Sequence, residues 1–394
     1  MSDLGERLEE LRDRGLYRQL RLIEGAQGPT VTLSGRPVLL LCSNNYLGLA
    51  DRMEVREAAA EAALRWGAGA GASRLISGNM ELHRELEIAL ATFKGCEAAL
   101  LFGSGYLANT GTVAALAGEG EVVFSDELNH ASIVDGCRLS RAETFVYRHA
   151  DLEHLDWGLT RAGAQASLIV TDGVFSMDGD LAPLSALLDL ARRHGARLMV
   201  DEAHATGAVG PGGRGSVAAA GLSGEVDVIV GTLGKALGSY GAYVCANAET
   251  VDFLVNSARP FIFSTAPPPP AVGAGLAALR VLEAEPELVA RLQANAATLR
   301  SALADEGLDV GRSATQIVPL HVGAAETAMA LCENALRRGV FAQGIRPPTV
   351  PAESSRLRFT TMATHRPEEL AQAAREVGDA ARELGLLSSA PLAA

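Results

Sequence analysis

Two residues of this chain are placed to do chemistry together. The stretch Val200-Asp201-Glu202-Ala203-His204 ends an apolar run on a carboxylate, and after a second apolar run, Val226–Val230, comes Gly231-Thr232-Leu233-Gly234-Lys235-Ala236-Leu237-Gly238. An Asp that closes a strand of a parallel sheet lies at the crevice where such sheets bind ligands. A lysine hemmed in by small residues lets a bulky planar group approach its amine. Upstream, Phe102-Gly103-Ser104-Gly105-Tyr106 joins a strand to a helix, and the unpaired N–H groups of a helix start form an anion site. Asn129-His130-Ala131-Ser132 follows another strand and offers a flat ring. These parts meet the needs of pyridoxal 5'-phosphate. Lysine forms the imine and a carboxylate keeps the pyridine nitrogen protonated so that the ring can draw electrons. Glycines and a helix start take the phosphate, and an aromatic ring stacks on the cofactor face. Taken singly, a strand-end Asp is more often a helix cap and a lysine in a Gly-rich loop a surface residue. Their order along one sheet is what carries the reading.

Other chemistries lack their parts. Gly67-Ala68-Gly69-Ala70-Gly71 follows a helical stretch rather than a strand, the wrong context for a dinucleotide fingerprint. There is no G-x-x-x-x-G-K-[ST], no H-E-x-x-H and no G-x-S-x-G. The eight histidines show no ligand-like spacing, so no metal is expected. Cys42, Cys96, Cys137, Cys245 and Cys332 are scattered with no C-x-x-C pair, the usage of reduced thiols in a cytoplasm. A net charge of −13 argues against nucleic acid as the main partner. The charged N-terminal stretch and the short apolar runs elsewhere predict no signal peptide and no membrane span.

The elements that must position these residues follow from periodicity. Leucines at 4, 8, 11 and 20 predict an amphipathic helix over 3–24, and Val31–Leu33 with Val38–Leu41 a hairpin around Gly35-Arg36-Pro37. Helices are expected at Glu54–Arg65 and Glu81–Phe93. From 98 to 245, β-rich runs at Ala98–Phe102, Glu121–Phe124, Thr144–Tyr147, Ser167–Thr171, Arg197–Val200, Val226–Val230 and Tyr243–Cys245 are interleaved with helical patterns at Leu107–Leu116, Ala131–Leu139 and Leu184–His194. That alternation predicts an α/β fold, a mostly parallel central sheet with helices on both faces. The run Pro267–Pro270 then breaks the chain before a long helix over 271–305 and a smaller α+β region with strands near 316–322 and 356–361. The expected division is an N-terminal helix and hairpin at 1–45, a cofactor-binding domain at 46–283 and a C-terminal α+β domain at 284–394. The tail Ser388–Ala394 is expected to fray.

At these residues the sequence resembles the α-oxoamine synthase family of fold-type I pyridoxal-phosphate enzymes. The likeness rests on Asn44-Asn45-Tyr46-Leu47-Gly48-Leu49, Gly173-Val174-Phe175-Ser176-Met177-Asp178-Gly179, Asp201-Glu202-Ala203-His204-Ala205-Thr206-Gly207 and Thr232-Leu233-Gly234-Lys235. The resemblance implies that Lys235 carries the cofactor and moves the substrate's Cα proton, that Asp201 pairs with the ring nitrogen, and that His204 contacts the ring's phenolic oxygen. It implies that His130 stacks on the ring, that Gly105, Tyr106 and Thr232 bind phosphate, and that Ser176 lies in the cofactor pocket. Arg358 would hold an amino-acid carboxylate, for which its fork suits. Thr349 and Arg18 would line the acyl side. Asn45, Ser264 and Thr265 would reach across a homodimer interface where the active site lies. Glu202 stands where many relatives carry Asp. Ser73 stands where glycine-restricted members carry Thr, which leaves room for the methyl of alanine. The segment Ile345-Arg346-Pro347-Pro348-Thr349-Val350-Pro351 resembles the family's biotin-pathway branch. That implies decarboxylating condensation of L-alanine with a pimeloyl thioester of coenzyme A or an acyl carrier protein. Glycine-using members and members with another acyl chain stay open. An aminotransferase or aldolase shares the cofactor parts but not the 345–351 stretch.

Overall fold

Five- to seven-residue runs of Val, Ile, Leu, Ala and Phe, apolar on both faces, become the strands of one sheet. The structure, a computed structural model, describes residues 3–387, so the tail expected to fray at Ser388–Ala394 lies outside the described residues. Contacts divide the chain into two units. The larger comprises Asn44–Ser176 and Asp180–Ala290; the smaller comprises Met1–Ser43, Met177–Gly179 and Arg291–Ala394.

The larger unit holds seven strands: β1 (Ala98–Phe102), β2 (Val122–Asp126), β3 (Glu143–Tyr147), β4 (Ala166–Asp172), β5 (Arg197–Asp201), β6 (Val228–Thr232) and β7 (Ala242–Ala246). Their order in the sheet is β1-β7-β6-β5-β4-β2-β3. Pairs from β6 through β3 are parallel, and β7 is antiparallel to both of its neighbours. The mostly parallel sheet is therefore as the alternation predicts. Every residue of β2, β4 and β7 is buried. Tyr243 on β7 lies opposite Gly231 on β6, where a Cβ would come within 2.3 Å of the tyrosine's outer ring. Glycine there lets the ring lie flat over β6 and bring its hydroxyl to 2.9 Å from Thr206 Oγ1.

In the smaller unit, Ser355–Thr360 is the middle strand of an antiparallel trio with Ile317–Gly323 and Gln343–Ile345. The helices Ala325–Arg337 and Pro367–Glu383 share a core with it through Leu331, Leu357, Phe359, Leu370 and Val377. A second sheet sets the expected hairpin, Thr30–Leu33 with Arg36–Leu40, between Ile23–Glu24 and Val340–Phe341.

Two helices differ from expectation. The first runs only over Leu4–Asp13; Gly15 turns the chain at φ +63°, and Leu20 and Leu22 are exposed on no helix at all. The long helix over 271–305 is two, Pro269–Ala284 and Glu287–Asp305, because Pro286 has no N–H to continue the first. The helices Leu152–Ala162, Ala325–Arg337 and Pro367–Glu383 were not anticipated. Among the described residues no helix is long and apolar enough to cross a membrane.

Behind the β5 end lies a dry ion pair. Lys94 Nζ, at the end of the helix Glu81–Lys94, sits 2.5 Å from Glu202 Oε2 and donates to Thr206 Oγ1 and the Arg214 carbonyl, each at 2.7 Å. Glu202 Oε1 accepts from Ser216 Oγ at 2.9 Å and the Val217 N–H at 2.7 Å. Both side chains are fully buried. Burial, the largest single influence, would pull the Lys94 ammonium down; the charge and hydrogen bond of Glu202, together with Tyr243 and Cys245, outweigh it and hold the amine above its usual range. Removing one partner leaves the other charged and dry, which costs about 3–5 kcal/mol. Lys94→Met should lower the unfolding free energy by that amount in urea titrations, and a loss under about 1 kcal/mol would make the pair energetically idle.

Candidate active site

The strands β1, β2, β4, β5 and β6 end together, and their carboxyl ends carry the polar residues. Phe102 closes β1 before Ser104, whose hydroxyl caps the helix Gly105–Leu116 by accepting from the Leu107 N–H at 3.2 Å. A Cβ at Gly105 would meet nothing within 4 Å, so the backbone of this helix start is open to a ligand. Tyr106 is exposed, and its hydroxyl donates to the Asp135 carboxylate.

After β2, Asn129 ties its loop to β4, donating to the Val170 carbonyl at 2.8 Å and accepting from the Asp172 N–H at 2.9 Å. This sets His130, an exposed residue, with its backbone N–H on Asp172 Oδ2 at 2.9 Å. Asp172 and Asp201 are paired residues of β4 and β5. Burial and the neighbouring Asp201 charge push the Asp172 carboxyl well above the usual carboxylate range. Asp201 is itself buried. Its Oδ1 accepts from the Ala203 N–H at 2.8 Å and its Oδ2 from Asn109 Nδ2 at 2.6 Å.

Beyond β6 the chain folds back on itself. Thr232 Oγ1 donates to the Gly241 carbonyl at 3.0 Å and accepts from the Gly234 N–H at 3.1 Å. Gly238, at φ +59°, would drive a Cβ to 2.4 Å from the Ala50 nitrogen, so only glycine closes this loop. The loop presents Lys235, whose Nζ lies 2.9 Å from His204 Nε2; His204 Nδ1 in turn lies 2.6 Å from the Tyr46 hydroxyl. The structure thus brings Lys235, His204 and Tyr46 into one chain of contacts, with Asp201, Asp172 and His130 in another at the same sheet edge.

The remaining residues named from the sequence are placed as follows. Ser176 and Asn45 are buried, and Asn45 Oδ1 accepts from the Ala50 N–H at 3.1 Å. Ser73 bridges Thr265, beside the half-buried Ser264, just before the turn Arg74–Gly78. In the smaller unit, Arg18 and Thr349 line one cavity of about 490 Å³ with Tyr17, Arg21 and Arg346; Arg346 Nη2 donates to the Tyr17 carbonyl at 2.9 Å. Arg358 is buried on the middle strand of its trio. Tyr46, inside the Asn44–Leu49 motif, enters the site through His204, a contact the motif alone does not reveal. Asp172 ends its strand as Asp201 does, a signal that was there to read. Asn109 and Ser132 carried none, being single polar residues at a helix interior and a helix start.

These residues fit pyridoxal phosphate on three observations. A helix start lies open at Gly105, a buried carboxylate is hydrogen-bonded at Asp201, and an amine is held by a histidine at Lys235.

The aminotransferase class I and II profile matches residues 36–377. The 8-amino-7-oxononanoate synthase of Citrifermentans bemidjiense is 53% identical over 98% of this chain and 100% of its own length. The protein of that name from Geobacter sulfurreducens is 55% identical over 96% of this chain and 98% of its own. A solved serine palmitoyltransferase with bound pyridoxal phosphate superposes with a TM-score of 0.93 at 34% identity, covering 98% of each chain. The open helix start, the paired strand-end carboxylates and the looped lysine are thus carried by a chain that belongs to the aminotransferase class I and II family, in its α-oxoamine synthase branch, whose cofactor is pyridoxal phosphate.

Proposed function

We propose that this chain condenses L-alanine with a pimeloyl thioester, releasing CO2 and free thiol and yielding 8-amino-7-oxononanoate for biotin synthesis. The observation that carries this reading is 53–55% identity, over almost the whole chain, to proteins named for that product. When bound, pyridoxal phosphate supplies an electron sink for the charge left at the substrate's Cα.

The chain's own residues do the rest. Lys235 Nζ is the attachment point and, once released, the base at Cα; the short contact to His204 Nε2 keeps it aimed and gives its proton a route. Asp201, buried and fixed by Asn109 and Ala203, offers a negative charge to a ring nitrogen. The N–H groups after Ser104 and the Thr232 loop hold phosphate, with Gly105 and Tyr106 at the helix start. His130 covers the ring face, and Ser176 lies against the same pocket. Arg358 takes the amino-acid carboxylate, and Arg18 and Thr349 the acyl chain. Asn45, Ser264 and Thr265 complete the site of the second subunit in a cytoplasmic homodimer. The thiol carrier is coenzyme A or an acyl carrier protein. A thiol-release assay crossing alanine, glycine and serine with acyl thioesters of graded length tests the reading. Release confined to alanine with a seven-carbon acyl chain is the expected result.

Three substitutions test the roles. Lys235→Ala should fold yet release no thiol above background, since attachment and proton transfer are lost together; near-normal turnover would sink the mechanism. Asp201→Asn should still bind cofactor but raise the barrier by about 3 kcal/mol, because an amide cannot keep the ring nitrogen protonated. A rate within about threefold of the parent would leave Asp201 as a capping residue. Ser73→Thr adds one methyl where alanine's side chain is accommodated, worth about 1–3 kcal/mol against alanine and nothing against glycine. Its kcat/KM for alanine should fall at least about tenfold. Equal losses for both amino acids would mean only that the Arg74–Gly78 turn was disturbed.

A further inference from the structure

Between Asp201 and His130 runs a buried relay, of which the roles above use only the Asn109 contact to Asp201. Asn109, within the helix Gly105–Leu116, donates one amide N–H to Asp201 Oδ2 at 2.6 Å and the other to Ser132 Oγ at 2.9 Å. Ser132 Oγ lies 2.7 Å from His130 Nδ1, and the Ser132 backbone N–H donates to the same nitrogen at 3.2 Å. Asn109 and Ser132 are both fully or almost fully buried.

The protons can be placed by elimination. Turning the Asn109 amide over would set its oxygen against the Asp201 carboxylate, so both N–H groups must point as they do. The consequence is visible: Asn109 Oδ1 is buried with no partner among the described residues. Buried polar atoms are nearly always satisfied, and an orphan of this kind asks for a reason. Here it is what aiming both donors requires. His130 Nδ1 already faces one fixed donor, the Ser132 N–H, so it cannot carry a proton of its own. Since Ser132 Oγ accepts from Asn109, its single hydrogen is free to go to Nδ1. A neutral His130 then bears its proton on Nε2.

We propose that Ser132, through its backbone N–H and hydroxyl, locks His130 as the Nε2–H tautomer while Asn109 orients that hydroxyl and fixes the Asp201 carboxylate, both acting as positioning residues, so that His130 acts as a hydrogen-bond donor and never as a base. This rests on the reading of His130 given under Proposed function, and it leaves Lys235 as the base at Cα.

The test is 15N NMR of the holoenzyme with labelled histidine, the His130 signals identified by their loss in His130→Gln. The expected result is an unprotonated Nδ1 and a protonated Nε2. A protonated Nδ1, or an even mixture of the two, overturns the proposal without any variant. Ser132→Ala should shift the His130 nitrogens and lower kcat about tenfold, the worth of one hydrogen bond, with KM for alanine little changed. Unchanged shifts with unchanged kcat overturn it. Asn109→Leu should lower kcat through Asp201 while His130 keeps its tautomer, because the Ser132 N–H remains. The shifts are read without turnover, so a chain inactive toward alanine and pimeloyl thioester counts against the proposed function alone.

Discussion

Asp201 stands almost dry at the end of β5, and a carboxylate kept from water there needs donors that do not move. Two are supplied by different elements: the Ala203 N–H from its own loop and the Asn109 amide from the helix after β1. A third condition is that its β4 neighbour not be charged as well. Burial and Asp201 itself push the Asp172 carboxyl well above the usual range, which is the direction that condition asks for. On the proposed reading a protonated ring nitrogen answers Asp201, and the order β6-β5-β4-β2 sets the lysine loop after β6 on one side and the His130 loop after β2 on the other.

The residue after Asp201 faces the opposite way. Glu202 turns behind the strand onto Lys94, so two consecutive carboxylates serve different masters: one the crevice, the other the frame. Replacing such a buried pair with well-packed apolar side chains often leaves stability unchanged or raises it, so its presence is poor evidence of a stability device. Its geometry points to a specifying role. Glu202 also holds Ser216 and Val217, and Lys94 also holds Thr206 and Arg214. The 201–217 segment is thereby pinned from behind, with Tyr243 lying over Gly231 as its other support. His204, three residues from Asp201, inherits its position from that segment, and Lys235 is aimed by His204.

What was legible in the sequence was what repeats at short range. Strands apolar on both faces, helices between them, and an Asp and a Lys at strand ends can each be read from a dozen neighbouring residues. The parallel sheet and the strand-end placement of Asp201 and Lys235 follow from those. The Tyr46–His204–Lys235 chain and the Asn109–Ser132–His130 relay join residues far apart in the chain, and no local pattern reports such a pairing. The two helices that differ from their periodicity do so for local reasons. Leucine spacing outweighed Gly15 at the N-terminus, and a long periodic run outweighed Pro286. In both cases a single backbone restriction decided the boundary against a favourable side-chain pattern.

Backbone agreement and substrate choice are separate matters in this fold. A serine palmitoyltransferase superposes with a TM-score of 0.93 while sharing 34% of its residues, so the course of the chain is nearly the same in a protein named for a different amino acid and a different acyl chain. The sheet edge that carries Lys235, Asp201 and His204 cannot by itself select between them, because a carbanion-forming step asks the same of each. Discrimination has to come from side chains that meet what differs. Ser73, bridged to Thr265 at a turn where a Cβ on Gly78 would strike the Ala72 carbonyl at 2.1 Å, sits in a backbone with little room to relax. On the proposed reading, with Ser73 against the substrate, a rigid wall is what makes one methyl count, since a yielding one would absorb it. On the proposed reading the acyl chain meets a different device: the cavity of the smaller unit gathers Arg18, Arg21 and Arg346, with Glu333 paired to Arg21. Such a surplus of guanidinium charge suits a chain that ends in a carboxylate and penalises one that ends in a methyl group, which would leave those charges unanswered.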